Sequence, residues 1–222
     1  MDRFRNQLNR KAIEEVGKVY ENFKGEIKER LKEFETQGKN GGKKEIFKEL
    51  VFCILTPQSK ATICWRAVEN MIKNGTLFRG DAKEIQKSLK GVRFKYKKSE
   101  YIVRAREQFF SAENPICSSL KNYKNVHLLR DYLAGNIKGI GYKEASHFLR
   151  NIGLGNGIAI LDRHILGNLL KLGVIKEIPK SLSGKEYIGI EKKMEEFSKY
   201  IKIPLKHLDL TLWAKETGEV FK

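Results

Sequence analysis

An all-α fold is predicted by this sequence, and three features point to it. Apolar residues recur at steps of three and four in nearly every segment, helix caps and stops recur along the chain, and no stretch of any length alternates with period two. The 222 residues suffice for one substantial core or two small lobes. About ten helices fit into them.

Each element has its own signal. The first long segment places Ile13, Val16, Tyr20, Phe23, Ile27, Leu31 and Phe34 on one apolar stripe. "TQGKNGGKK" (36–44) predicts a flexible break before a second apolar segment, "EIFKELVFCIL". Thr56-Pro57 predicts an N-cap with proline at the first helical position, opening a helix over "PQSKATICWRAVENMIKNG" that a glycine ends. Asp81 and Glu84 have capping-box spacing before "IQKSL", as do Ser183 and Glu186 before "YIGIEKKMEEFSKYI". "KKSEYIVRAREQFFSAENP" and "KNVHLLRDYLAGNI" supply further helices, and the last begins near Pro204 with Gly218 placed to end it.

The charge balance narrows the function classes. The chain has 44 Lys+Arg against 27 Asp+Glu, a formal net charge of +17, so its surface favours a polyanion, most commonly nucleic acid. A basic surface that serves solubility alone is the other reading. A membrane surface fits less well, because no short amphipathic stretch concentrates the charge. No apolar run approaches the ~18 residues of a membrane span, and "MDRFRNQLNRKAIEE" does not read as a secretory signal. Cys53, Cys64 and Cys117 are too few for a disulfide framework and lack metal-ligand spacing, and the four histidines are scattered. A reduced, cytoplasmic setting and no metal site are expected.

"LAGNIKGIGYKEASHFLRNIG" reads as helix, tight glycine turn, helix. Gly139 and Gly141 bracket Ile140, so the backbone can turn sharply and bring its N–H groups to a ligand with no Cβ in the way. Such groups at a helix N-terminus bind anions, which with this net charge means a DNA phosphate. Any junction between two helices can use glycines. The wider spacing of Leu133, Ile137, Gly139, Ile140, Gly141, Lys143, Ala145 and Phe148 matches the helix–hairpin–helix DNA-binding pattern over about residues 128–153.

Lys143 is then either one more phosphate contact or a nucleophile. A nucleophilic lysine has to shed its proton for part of the time, which the first turn of a helix, a cleft and neighbouring basic groups all favour. Nineteen residues on, Asp162 follows the apolar run "GIAIL". It is a natural N-cap for "RHILGNLLKLG", and a carboxylate fixed at a helix start also suits a developing positive charge.

Together these residues resemble the helix–hairpin–helix DNA glycosylase superfamily. The blocks "LTPQSKATICWRAV" (55–68), "GYKEASHFLRNIG" (141–153) and "HLDLTLWAKETGEVFK" (207–222) resemble its type-2 8-oxoguanine branch, and the likeness runs from about residue 45 onward. The resemblance implies a bifunctional glycosylase and lyase acting on double-stranded DNA that contains 8-oxoguanine. Lys143 would attack the sugar C1′ and form a Schiff base, and Asp162 would stabilise the oxocarbenium-like sugar; no metal or organic cofactor is needed. Gln58 matches the position that inserts into the vacated base stack. The carboxylate of the last residue, Lys222, would recognise the oxidised base. Trp213 matches the stacking aromatic, Asp209 one turn earlier faces the same pocket, and Phe94 offers a second stacking face. The branch with a four-cysteine iron–sulfur cluster after the aspartate is disfavoured, since no cysteine follows Cys117.

The architecture implied is a monomer of two helical lobes flanking a basic cleft. One lobe would span approximately 1–55 plus 163–222, and the other approximately 56–162 with the hairpin. Two other readings stay open: a non-catalytic helix–hairpin–helix DNA-binding protein, and a glycosylase of the same superfamily for another damaged base.

Overall fold

In the computed structural model residues 7–112, 116–122 and 125–222 are described. The end of the segment "SAENP" (113–115) and Lys124 lie outside them. The described residues form twelve helices and no strand.

α1 (Arg10–Asn40) starts at Asn9, whose side chain accepts from Ala12 N at 3.2 Å. It buries Val16, Tyr20, Ile27, Leu31 and Phe34, most of the predicted stripe. The break expected at 36–44 shrinks to Gly41 and Gly42, because α1 runs on to Asn40 and α2 (Lys43–Leu55) starts at once. Tertiary contacts hold that last turn: Gln37 Nε2 donates to Glu49 at 3.0 Å, and Gly38 lies against the Ile152 carbonyl, where a Cβ would come within 1.8 Å.

The helix expected to open at Thr56-Pro57 starts later, at α3 (Ala61–Lys73). Thr56 closes α2 instead: its N–H donates to Phe52 O at 3.1 Å and its hydroxyl to Cys53 O at 2.9 Å. The residues between form a turn, in which Gln58 takes a left-handed conformation (φ 56) that no α-helix accommodates. α4 (Thr76–Arg79), α5 (Ala82–Ser88), α6 (Lys95–Phe110) and α7 (Ile116–Asn122) follow. Asp81 and Glu84 make the predicted capping box on α5.

The hairpin is α8 (Val126–Asn136) and α9 (Tyr142–Asn151), separated by residues 137–141. α10 (Arg163–Lys171) is capped by Asp162, and α11 (Gly184–Ile201) by the Ser183–Glu186 box. α12 (Leu205–Thr217) starts after Pro204 and ends at Gly218 (φ 78).

Two hydrophobic cores result. One joins the buried side chains of α2 to α9 up to Ile158; the other joins α1 with α10, α11, α12 and the segment from Ala159. The buried side chains of α2 thus belong to the hairpin core, whereas the sequence division at 55/56 grouped α2 with α1. The reason is its composition: Phe47, Leu50, Val51, Phe52, Cys53, Ile54 and Leu55 point all round the helix and are all buried. An element apolar on every side has to be enclosed.

α9 is the wall common to both cores. Its Ala145, Phe148 and Leu149 belong to the hairpin core, while Tyr142 packs on the other. Where its end meets α1, Gly38→Ala is expected to force the backbones apart, lowering stability by about 1–3 kcal/mol. Thermal unfolding of the variant against wild type measures this.

Candidate active site

The glycine turn fixes the start of α9. Gly139 has φ 87, and a Cβ there would also come within 2.5 Å of the Tyr101 ring, so glycine is required twice over. Gly141 is extended, and its N–H donates to Glu144 Oε2 at 3.3 Å. Glu144 also holds the candidate nucleophile: its Oε1 lies 2.8 Å from Lys143 Nζ. The Lys143 side chain is 26% exposed, open enough to meet a substrate and sheltered enough to lose much of its hydration.

His147 lies one turn beyond Lys143. It is buried against Phe52, with ring centroids 5.4 Å apart. Burial first, then the charges of Arg150 and Lys143, hold it well below the usual imidazole range, so it is neutral at pH 7. The main chain of Lys222 opposes the shift, which puts the end of the chain near the same ring.

The last residues reach this place by a turn at Gly218. Val220 packs in the α1 core, whereas Phe221 packs against the hairpin core, 6.4 Å from the Phe52 ring. Lys222 then inserts its side chain into a socket. Its ammonium is 2.5 Å from Glu49 Oε1 and 3.3 Å from the centroid of Trp65. Glu49 is fully buried and accepts further bonds from Gln37 (3.0 Å) and Asn151 (3.0 Å). The terminal residue is thus anchored, in a position where a frayed end is the default.

Asp162 comes from the other core. Its Oδ1 caps α10 by accepting from Ile165 N at 2.8 Å. Asp209 on α12 is buried and pairs with Arg150 on α9 at 3.4 Å. Burial pushes the Asp209 carboxyl up to about 6; Arg150 opposes this and the charge of Asp162 adds to it. That influence brings Asp162 and Asp209 into one neighbourhood. Trp213, one turn after Asp209, is half-buried and meets the His164 ring edge-on at 5.4 Å, and its buried indole N–H has no partner among the described residues. Asp209 is thus linked to α9 through Arg150 and to Asp162 through its charge, while Trp213 is linked to His164 at the start of α10.

Gln58 and Phe94 form a second group. Both are exposed and both are left-handed (φ 56 and 58), a conformation that costs a non-glycine residue about 1–2 kcal/mol. Their loops adjoin, since Arg93 N donates to Ser59 Oγ at 3.0 Å. Arg93, whose N–H makes that bond, also sits over the Phe94 ring, 5.3 Å from its centroid. Lys98 holds that turn from beneath. Its buried ammonium donates to Leu55 O and Pro57 O at 2.7 Å each and to Ser59 Oγ at 3.3 Å. Burial lowers its pKa to about 8.

Sequence reasoning missed Glu49, Lys98, Glu144 and His147. Signals existed for two of them: His147 is four residues after Lys143 on one helix, and Glu49 is an acid inside an apolar run.

The comparisons with known proteins follow this geometry. The family model described as "8-oxoguanine DNA glycosylase" matches residues 27–203. An 8-oxoguanine DNA glycosylase/AP lyase of Fusobacterium nucleatum is 48% identical over 209 residues, covering 94% of this chain and 96% of that protein. The crystal structure of the 8-oxoguanine DNA glycosylase of Thermotoga maritima superposes with a TM-score of 0.85 at 32% identity, covering 95% of this chain and 98% of that one. An 8-oxoguanine glycosylase/lyase of Methanocaldococcus jannaschii, crystallised with a 15mer DNA containing 8-oxoguanine, also gives 0.85, at 38% identity and with 95% and 99% covered.

The raised Asp209 carboxyl has a consequence for stability. A folded-state value of about 6 against an ordinary 3.8 means a contribution fully present below pH 4 and lost as pH rises through 6. The difference in unfolding free energy between wild type and Asp209→Asn should therefore fall by about 2–3 kcal/mol from pH 4 to pH 7. Urea titrations at a series of pH values read it; a flat difference would mean an ordinary carboxyl.

Proposed function

The chain belongs to the family of 8-oxoguanine DNA glycosylases, and we propose that it excises 8-oxoguanine from duplex DNA with Lys143 as nucleophile and then cleaves the strand as a lyase. The observation that carries this reading is the convergence on one buried imidazole: His147 borders Lys143 on its own helix and the main chain of Lys222 at the end of the protein. This proximity supports a reading in which a nucleophile and a carboxylate able to read a base edge share one site.

The Lys143 amine forms a bond to C1′ as the C1′–N9 bond breaks, and the base leaves with a proton. The sugar ring then opens, the nitrogen lone pair gives a Schiff base at C1′, and loss of a C2′ proton expels the 3′ phosphate. Asp162, fixed by its cap, faces the positive charge that develops on the sugar. Glu144, already bonded to Lys143, is placed to exchange protons with the amine.

A base inside a duplex is out of reach, so it has to be flipped out, at a cost of roughly a few kcal/mol. Gln58, exposed on a turn that Lys98 holds rigid, is suited to fill the gap. Gly139 and Gly141 bind phosphate at the start of α9. The flipped base lies against Trp213, whose unpartnered indole N–H and neighbour Asp209 supply polar contacts. Phe94, exposed on the loop that Arg93 ties to Ser59, is the second stacking face for the base. The two cores support a two-lobed monomer with DNA in a basic cleft between them, the changeover falling near 41–42 and 158–159. Among the described residues no helix is long and apolar enough to cross a membrane, and Cys53, Cys64 and Cys117 are free thiols, which fits the cytoplasm.

Borohydride trapping on an 8-oxoguanine duplex tests the chemistry: wild type should give a covalent adduct, and Lys143→Gln none while still binding DNA. Binding with no adduct from wild type would leave only a DNA-binding module, and an adduct only on a duplex with another damaged base would move the substrate. Converting the Lys222 carboxylate to the amide, which leaves its side chain on Glu49, should reduce discrimination against guanine about 10- to 100-fold, the worth of a lost charged hydrogen bond, and spare abasic-site cleavage. Equal loss on both substrates would remove the terminal carboxylate from base recognition.

A further inference from the structure

A buried polar network lies behind the site and belongs to neither lobe alone. Arg130, on α8, is fully buried and its Nη1 lies 2.6 Å from Glu191 Oε1 on α11. Its guanidinium sits over the rings of Tyr142 (5.2 Å) and Tyr187 (5.4 Å) and reaches Ser146 Oγ at 3.4 Å. Tyr187, also on α11 and also buried, packs on Tyr142 with centroids 5.6 Å apart and donates to Ala159 O at 2.7 Å. The same hydroxyl accepts from Leu161 N at 3.0 Å, while Glu191 Oε1 accepts from Ala159 N at 2.8 Å.

These contacts have a common geometry. Residues 159–161 form neither helix nor strand, so their buried backbone has to find hydrogen bonds elsewhere. Tyr187 and Glu191 satisfy three of those groups, and the next residue is Asp162. The network also grips Tyr142 and Ser146, which flank Lys143 on α9. α11 therefore holds the backbone leading into Asp162 and, through the Tyr142 ring and the Ser146 hydroxyl, side chains on either side of Lys143.

We propose that Tyr187, Glu191 and Arg130 are positioning residues for the reaction, setting the relation of Lys143 to Asp162; this rests on the roles given to those two residues above. Net stability is a poor account of the network. Buried ion pairs are often no more stabilising than apolar side chains of the same size, and what they fix well is geometry. A misplacement of about 1 Å at reacting groups can cost about a hundredfold in rate.

Two variants test it, each assayed well below its melting temperature. Tyr187→Phe removes one hydroxyl and keeps the ring under Arg130. The double variant Arg130→Met with Glu191→Leu replaces the ion pair by apolar groups, so that no charge is left buried alone. Three quantities are measured: affinity for the 8-oxoguanine duplex, the single-turnover rate of base excision, and borohydride trapping on a preformed abasic site. We expect excision to slow 10- to 100-fold with affinity changed less than threefold. Trapping on the abasic site, which needs Lys143 but no oxocarbenium stabilisation by Asp162, should slow much less.

Normal excision by either folded variant would overturn the proposal, as would excision, binding and abasic-site trapping all falling together. If Tyr187→Phe does not fold, the double variant decides by the same split. Lys143→Gln is the control that keeps the two readings apart. Adduct from that variant would sink the assigned nucleophile, whereas its absence beside normal excision by Tyr187→Phe would sink only the positioning network.

Discussion

A carboxylate shut away from water has to be answered by charge and hydrogen-bond donors, and much of this molecule is arranged around one such group, Glu49. Left unpaired in the apolar hairpin core it would cost several kcal/mol or neutralise itself. Its partners come from three distant parts of the chain: Gln37 at the end of α1, Asn151 at the end of α9, and Lys222 at the terminus. The demand of one acid thus holds together the long first helix, the second helix of the hairpin and the tail. These are the pieces that have to meet for the site to exist.

The same logic recurs on the other side of α9. Glu191 is buried in contact with Arg130 and the Ala159 N–H, and Asp209 is buried in contact with Arg150. In each case an acid from the C-terminal helices is paired with an arginine from the hairpin helices. The two apolar cores, which pack separately, are registered against each other by directional polar contacts. Hydrophobic burial is non-directional and would tolerate sliding; a paired arginine and carboxylate would not.

Function draws on that register. A net charge of +17 favours a polyanion without choosing a base, and on the proposed function the glycine turn holds phosphate without reading sequence. On the proposed function, discrimination and chemistry draw on side chains from both cores: Lys143 and the tail on one, Asp162, Asp209 and Trp213 on the other. Gln58 and Phe94, held left-handed over the buried Lys98, belong to a rigid projection at the edge of the hairpin core. Backbone strain kept at such a place is a usual mark of a functional surface.

The sequence by itself determined the helices and the candidate chemistry. Apolar steps of three and four, the capping boxes at Asp81 and Ser183, the cap at Asp162 and the stop at Gly218 are local signals, and all appear in the structure. The hairpin glycines and the spacing of Lys143 and Asp162 were legible for the same reason: their meaning is carried within about twenty residues of chain. What failed was also local in origin. Thr56-Pro57 has the chemistry of a helix start, yet Lys98, far along the chain, binds the carbonyls of Leu55 and Pro57 and makes it a helix end followed by a turn. An all-apolar helix such as α2 says that it is buried and not against what. The socket of Lys222, the neutral His147 and the Arg130–Glu191 pair were decided only by the tertiary structure. Each depends on which buried polar group meets which partner, and for Lys222 and Glu49 that partner is 173 residues away. A buried charge announces a need for a partner in the sequence; only packing chooses it.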